Sequence, residues 1–234
     1  STATLTINQC ILESTKNGTV QVINGGDVTI TSSKLYTNVY NVNTINTTRA
    51  AIKITITDSW VGNGTSTNSN STSTGKADVI QIQGAGSTLE LSGTTGVYAN
   101  SGTAHGVYIH GNNIITNIIG KASINTISDF ECVWMDGSGN QLTVNDNDGD
   151  GGVLFSSGRF VINSSESSSS YTITRAKFAS RSDKYLFAWN SGVNYNTSLV
   201  GNGPETHNYY YMTSATERGT KAPTPPRSAY RSGG

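Results

Sequence analysis

The sequence predicts an all-β fold, a single-stranded parallel β-solenoid of about eight to ten rungs with an extended C-terminal tail. Three observations predict it. First, short apolar-x-apolar beats recur between Leu89 and Ile162: Leu89-Glu90-Leu91, Val107-Tyr108-Ile109, Leu142-Thr143-Val144 and Phe160-Val161-Ile162. A looser beat, Ile124 to Ile127, falls among them. Their last apolar residues stand at 91, 109, 127, 144 and 162, in steps of 18, 18, 17 and 18. Each beat alternates with period 2, as a strand does when it buries one face. Equal steps predict that Leu91, Ile109, Ile127, Val144 and Ile162 share one inward column. Second, the segments between beats are Gly, Asn, Ser, Thr and Asp, the residues that turn a chain. Third, only 13% of the 234 residues are charged, so the polarity comes from Ser, Thr and Asn. Disorder pairs low hydrophobicity with high charge, whereas Thr, Val and Ile in alternation fit strands with polar outer faces.

The first third has the same grammar with wider spacing. Leu5 to Cys10, Val28 to Ser33 and Ile54 to Ser59 align without gaps as apolar-Thr-Ile-polar-polar-small. The steps are 23 and 26, then 35 to Leu91. An apolar residue returns soon after each small one (Ile11, Leu35 and Trp60), so the small residue is expected at an inward-bending corner. This pattern resembles the rungs of right-handed parallel β-helices, the architecture of pectate lyases and many bacteriophage tailspikes. The resemblance covers roughly residues 3 to 190 and implies a right-handed coil.

The long step holds a loop, Gly62 to Gly75, made almost wholly of Gly, Asn, Ser and Thr, which is expected to leave one corner of the coil. Past Gly201 the grammar changes. Pro204, Tyr209 to Tyr211, and Pro223, Pro225 and Pro226 do not continue a ladder, since proline donates no hydrogen bond. We therefore expect a β-helix over 1–200 and a Pro/Tyr-rich tail over 201–234 that packs on a partner subunit.

The 15 basic and 15 acidic residues cancel, leaving no electrostatic footprint for nucleic acid, and no apolar run is long enough to insert in a membrane. Cys10 and Cys132 lie several rungs apart and are not expected to bridge. Asp146-Asn147-Asp148-Gly149-Asp150-Gly151 places carboxylates at alternate positions beside glycine, a ligand set for Ca²⁺. The Gly152 carbonyl is the next expected ligand. The run resembles the calcium loop of EF-hands, except that Ser157 stands where the bidentate Glu belongs. If the loop binds, affinity should be on the order of 10⁻⁴ to 10⁻³ M. Millimolar calcium should then add roughly 0.4 to 1.4 kcal/mol of stability. Thermal melts in calcium and in chelator test this, and Asp148→Asn should abolish the difference.

Asp129, Glu131 and Asp136 form the strongest candidate acid set for cleaving a polysaccharide, with Asp78 and Glu90 expected near the same face. Trp134, Tyr108 and His110 are the candidate sugar contacts. His105 and His110 lack a third ligand nearby for a metal. The residues favour a non-catalytic fibre or spike module, extracellular or on a virion surface, that contacts cell-surface carbohydrate. Such a module is expected to be a homo-oligomer, a trimer or an end-to-end stack. The alternatives are a depolymerase of the same architecture and a bacterial adhesin, autotransporter passenger or surface-filament subunit.

Overall fold

The computed structural model is a parallel β-solenoid. It describes residues 3–37, 42–63, 77–99, 104–126, 130–145, 153–156, 161–166, 168–180, 187–189, 193–195 and 208–218, with side chains described up to Tyr171 except over 153–156. No helix occurs among the described residues.

Each coil carries three short strands. The first has β1 (Leu5–Asn8), β2 (Ile11–Ser14) and β3 (Val20–Val22), the second β4 (Val28–Thr31), β5 (Lys34–Thr37) and β6 (Ile45–Thr47). The third has β7 (Lys53–Thr57), β8 (Trp60–Asn63) and β9 (Ile80–Ile82), the fourth β10 (Thr88–Ser92), β11 (Gly96–Ala99) and β12 (Val107–Ile109). The fifth has β13 (Ile115–Ile119), β14 (Ser123–Thr126) and β15 (Val133–Met135), the sixth β16 (Gln141–Asn145), β17 (Val153–Ser156) and β18 (Ile162–Ser164). Five turns thus separate β1 from β16, fewer than the eight to ten rungs expected from an 18-residue repeat. Beyond them β19 (Ser170–Ser180) pairs with both β16 and β17, and β20 (Phe187–Trp189) pairs with β18. Two antiparallel strands follow: β21 (Val193–Tyr195) on β20 and β22 (Asn208–Arg218) on β19. Part of the tail therefore returns to its own chain, and the rest of 201–234 lies outside the described residues.

The rung is longer than the beat suggested because three strands recur at similar spacing. Leu91 and Val144 share an inward column through Ile118, with steps of 27 and 26 residues. Ile109 and Ile162 stand on another face, in columns with Met135 and Val133 respectively. Ile127 lies outside the described residues. An 18-residue step is two-thirds of a turn, so counting by 18 skips one strand and lands on a different face each time. The first steps, 23, 26 and 35, are true turns, since Ile7, Ile30, Ile56 and Leu91 stack in register.

The core is the set of inward columns. Ile7, Ile30, Ile56, Leu91, Ile118 and Val144 line one side, Leu35, Val61, Val97 and Ile124 the second, and Val20, Ile45, Ile80, Val107, Val133 and Ile162 the third. β-branched residues dominate because a flat ladder position rewards a stiff, branched side chain. Several inward positions are polar, and one of their hydroxyls stands out. Thr116, between Leu89 and Leu142, is 1% exposed and its hydroxyl meets no partner among the described residues. Thr116→Val keeps the shape and removes that buried hydroxyl, so it should raise stability by about 1 kcal/mol, read as a higher melting temperature.

The expected corner is present. Gln9, Ser32 and Asp58 adopt φ of 52°, 48° and 49°, and Gly93 and Gly120 occupy the same corner at 61° and 67°. The following small residue turns inward and ties coils together: the Ser33 hydroxyl accepts from the Cys10 N–H (3.1 Å), and the Ser59 hydroxyl accepts from the Ser33 N–H (3.1 Å). These bonds satisfy backbone donors that a buried bend would otherwise strand. The long step is also explained, since sixteen residues separate β8 from β9 where the neighbouring coils use seven. Cys10 and Cys132 are unbridged, and Cys132 is fully buried.

Candidate functional site

The chemistry-bearing residues gather on the outer side of the smaller sheet, over β9, β12, β15 and β18. Each of these strands buries its first and third residues and turns the middle one outward. The outward column reads Gln81, Tyr108, Trp134 and Asn163, in register. Two residues before each strand stand Asp78, His105 and Glu131. Immediately after each stand Gln83, His110 and Asp136. Three ladders of functional side chains thus run parallel along the coil axis.

The first ladder is a carboxylate–histidine–carboxylate stack. His105 Nδ1 lies 2.6 Å from Asp78 Oδ1 and its Nε2 lies 3.1 Å from Glu131 Oε2, with the His105 side chain 6% exposed and each carboxylate 13%. The His105 backbone N–H also donates to Asp78 Oδ1 (3.0 Å), and the Asn163 amide donates to Glu131 Oε1 (3.0 Å). Burial alone would lower the His105 pKa, but the hydrogen bonds and charges of Asp78 and Glu131 outweigh it and raise the value. For Glu131 burial pushes upward, while His105 and then Asn163 prevail and lower it. Both shifts favour an imidazolium held between two carboxylates. Its ring stands perpendicular to Phe130 at 4.8 Å and tilts against Trp134 at 4.6 Å.

The middle ladder is aromatic. Tyr108 and Trp134 stack with centroids 4.7 Å apart and planes 9° from parallel. Their faces are turned along the coil axis, so one face of Trp134 is covered by Tyr108. The other looks toward the shorter Asn163, which leans to Glu131. The third ladder joins them. Asp136 accepts from the Tyr108 hydroxyl (2.5 Å) and lies 2.9 Å from His110 Nδ1. Burial first, and then the Asp136 bond, push the Tyr108 pKa up, so the phenol stays a donor. At the lower end the amides interlock: Asn43 donates to Gln81 (2.5 Å), and Gln83 bonds Gln81 (3.0 Å) and Asn46 (3.3 Å).

Of the residues singled out in the sequence, Glu131, Asp136, Trp134, Tyr108 and His110 come together here. Asp78 joins them two rungs below Glu131, but Glu90 belongs to the larger sheet. Glu131 and Asp136 flank β15 and engage different partners, His105 and Asn163 for Glu131, Tyr108 and His110 for Asp136. Asp129, Asp146, Asp148, Asp150 and Gly152 lie outside the described residues. Seven residues join β16 to β17, where the same corner takes two or three in every other coil. Among the described residues no group of three or more His, Cys, Asp or Glu is placed to hold a metal ion. His105 and His110 sit at opposite ends of β12 and do not converge.

His105, Asn163 and Gln83 were not picked out as members of this site. Counting by full turns finds them: Asp78, His105 and Glu131 are 27 and 26 residues apart, and Gln83, His110 and Asp136 repeat the same two steps. Comparison with protein-family models, with curated proteins and with solved structures finds no match.

Proposed function

We propose that the chain is a non-catalytic fibre or spike module of the tailspike-like β-helix type, extracellular or on a virion surface, that grips cell-surface carbohydrate through the outer side of its smaller sheet. One observation carries this: the unbroken outward column Gln81, Tyr108, Trp134 and Asn163, flanked by Asp136 and His110. Sugars are held by apolar contact with aromatic rings and by planar amides and carboxylates that take two hydroxyls at once. The column offers both, one rung apart, at a spacing close to that of one sugar unit in an extended chain. From β9 to β18 no Lys or Arg stands in the three ladders, so the face suits a neutral glycan rather than an acidic one. Glu131, with both oxygens engaged, supports the platform rather than attacking a bond.

A glycan array probed with the whole chain, followed by titration of the best neutral oligosaccharide, tests the proposal. Trp134→Ala should weaken binding at least tenfold, about 1.4 kcal/mol, with the strand pairing retained in circular dichroism. An unchanged affinity would remove the column from the site. Release of new reducing ends would make the protein a depolymerase instead. Light scattering tests the accompanying proposal that the module works as a homo-oligomer, which a stable monomer would refute.

A further inference from the structure

A second recess lies on another side of the coil, on the second strand of each coil in the larger sheet, where β5, β8 and β11 run in register. Its volume is about 200 Å³, and Ser32, Lys34, Asp58, Trp60, Thr94 and Tyr98 line it. Two glycines make room for it. Gly62 has no side chain, so the Trp60 indole folds back over it, and Tyr98 does the same over Gly96. Trp60 and Tyr98 then stack at 5.4 Å and 20°, while Tyr36 meets Trp60 edge-on at 6.1 Å.

The donors around this recess are unspent. The Lys34 ammonium, the Trp60 indole N–H and the Tyr98 hydroxyl have no hydrogen-bond or ion-pair partner among the described residues, and Lys34 lies beside Trp60 in the ladder. The carboxylate present, Asp58, has one oxygen engaged: its Oδ1 accepts from the Thr94 N–H (2.9 Å) and hydroxyl (3.1 Å). A donor-rich recess with an aromatic wall and an unpaired cation calls for a ligand that brings acceptors and negative charge. We infer that the recess between β5, β8 and β11 is a binding site for an anionic sugar unit, a uronic or sialic acid. Its carboxylate would face Lys34 and the Trp60 N–H, and its ring would lie against the aromatic pair. This is the opposite chemistry to the acceptor-rich smaller sheet, and the inference stands whether or not that sheet binds a glycan.

Isothermal titration of the full chain with oligogalacturonate, oligoglucuronate and a sialyl-oligosaccharide, and with maltotetraose as a neutral control, tests it. At least one acidic probe should bind with a Kd below 10 mM, on the order expected of a small exposed site, and maltotetraose should not compete. Lys34→Gln, an exposed change, should weaken that probe at least fivefold. Asp58→Asn keeps the acceptor for Thr94 and suits the positive φ, yet removes a negative charge, so it should tighten binding. Trp134→Ala, on the other sheet, should leave it unchanged. No acidic probe binding at 10 mM would overturn the inference. So would binding indifferent to Lys34→Gln, or weakened by Asp58→Asn.

Discussion

His105→Ala should cost the solenoid about 3 to 5 kcal/mol, because it leaves Asp78 and Glu131 buried, facing each other and unpaired. The stack spans three coils, so its loss loosens β9, β12 and β15 together. Glu131→Gln, which keeps an acceptor for one of the two partners Asn163 and His105, should cost less. The pH dependence follows from the two shifts. His105 has a folded pKa above its ordinary 6.5, so its contribution is complete below 6.5 and is lost as pH rises through the folded value. Glu131 has a folded pKa below its ordinary 4.5, so its contribution is complete above 4.5 and is lost as pH falls through the folded value. The stack therefore stabilises most between about pH 4.5 and 6.5. Thermal melts across pH 3 to 9 should show the wild type losing stability on the alkaline side of that window. His105→Gln should lack this alkaline decline. A wild-type profile flat from pH 5 to 9 would mean that folding does not raise the His105 pKa.

The sequence carried the strands, the inward-pointing side chains and the corner more clearly than the repeat length. Alternation is a local signal, and Ile54-Thr55-Ile56 or Val107-Tyr108-Ile109 declares its buried face within three residues. Turn length is non-local and depends on loops that vary. The sixteen residues between β8 and β9 hide a repeat that the coils on either side obey. Three similar strands per turn add an alias at two-thirds of the true period, and a short apolar beat does not say which face it serves. The site shows the same division. Trp134, Tyr108, His110 and Asp136 were legible because aromatic and acidic residues beside a strand stand out alone. His105 was not, since its meaning comes from Asp78 and Glu131, each a full turn away. The three steps 27, 26 and 29 that bring Gln81, Tyr108, Trp134 and Asn163 into line become visible only after the ladder register is known.

Gly111→Ala should be among the most damaging single changes, though it adds only one methyl group, because Gly111 is buried between coils. Gly84, Gly111 and Gly137 each stand two residues past a strand of the smaller sheet, where the chain leaves the ladder and passes close over the coil below. A Cβ on Gly111 would overlap the Gln83 carbonyl oxygen and stand 2.9 Å from the Ile114 side chain, and one on Gly137 would overlap the Gly111 carbonyl. The obstacle is backbone, so no rotamer change relieves it, and two coils must part. That parting also strains the bond from the Gly111 N–H to the Ile82 carbonyl, 3.1 Å long. The cost should reach about 3 kcal/mol or more. Gly86 gives the contrast. Its φ is +69° and a Cβ there meets nothing, and the equivalent corner is filled by Asn113 at +55° and Ala51 at +54° in neighbouring coils. Gly86→Asn should therefore cost well under about 1 kcal/mol, since Asn tolerates the left-handed region. Paired melts of the two variants separate crowding from conformational strain. If Gly86→Asn proves the worse, then corner geometry, and not the close approach of coils at Gly111, limits how tightly this solenoid stacks.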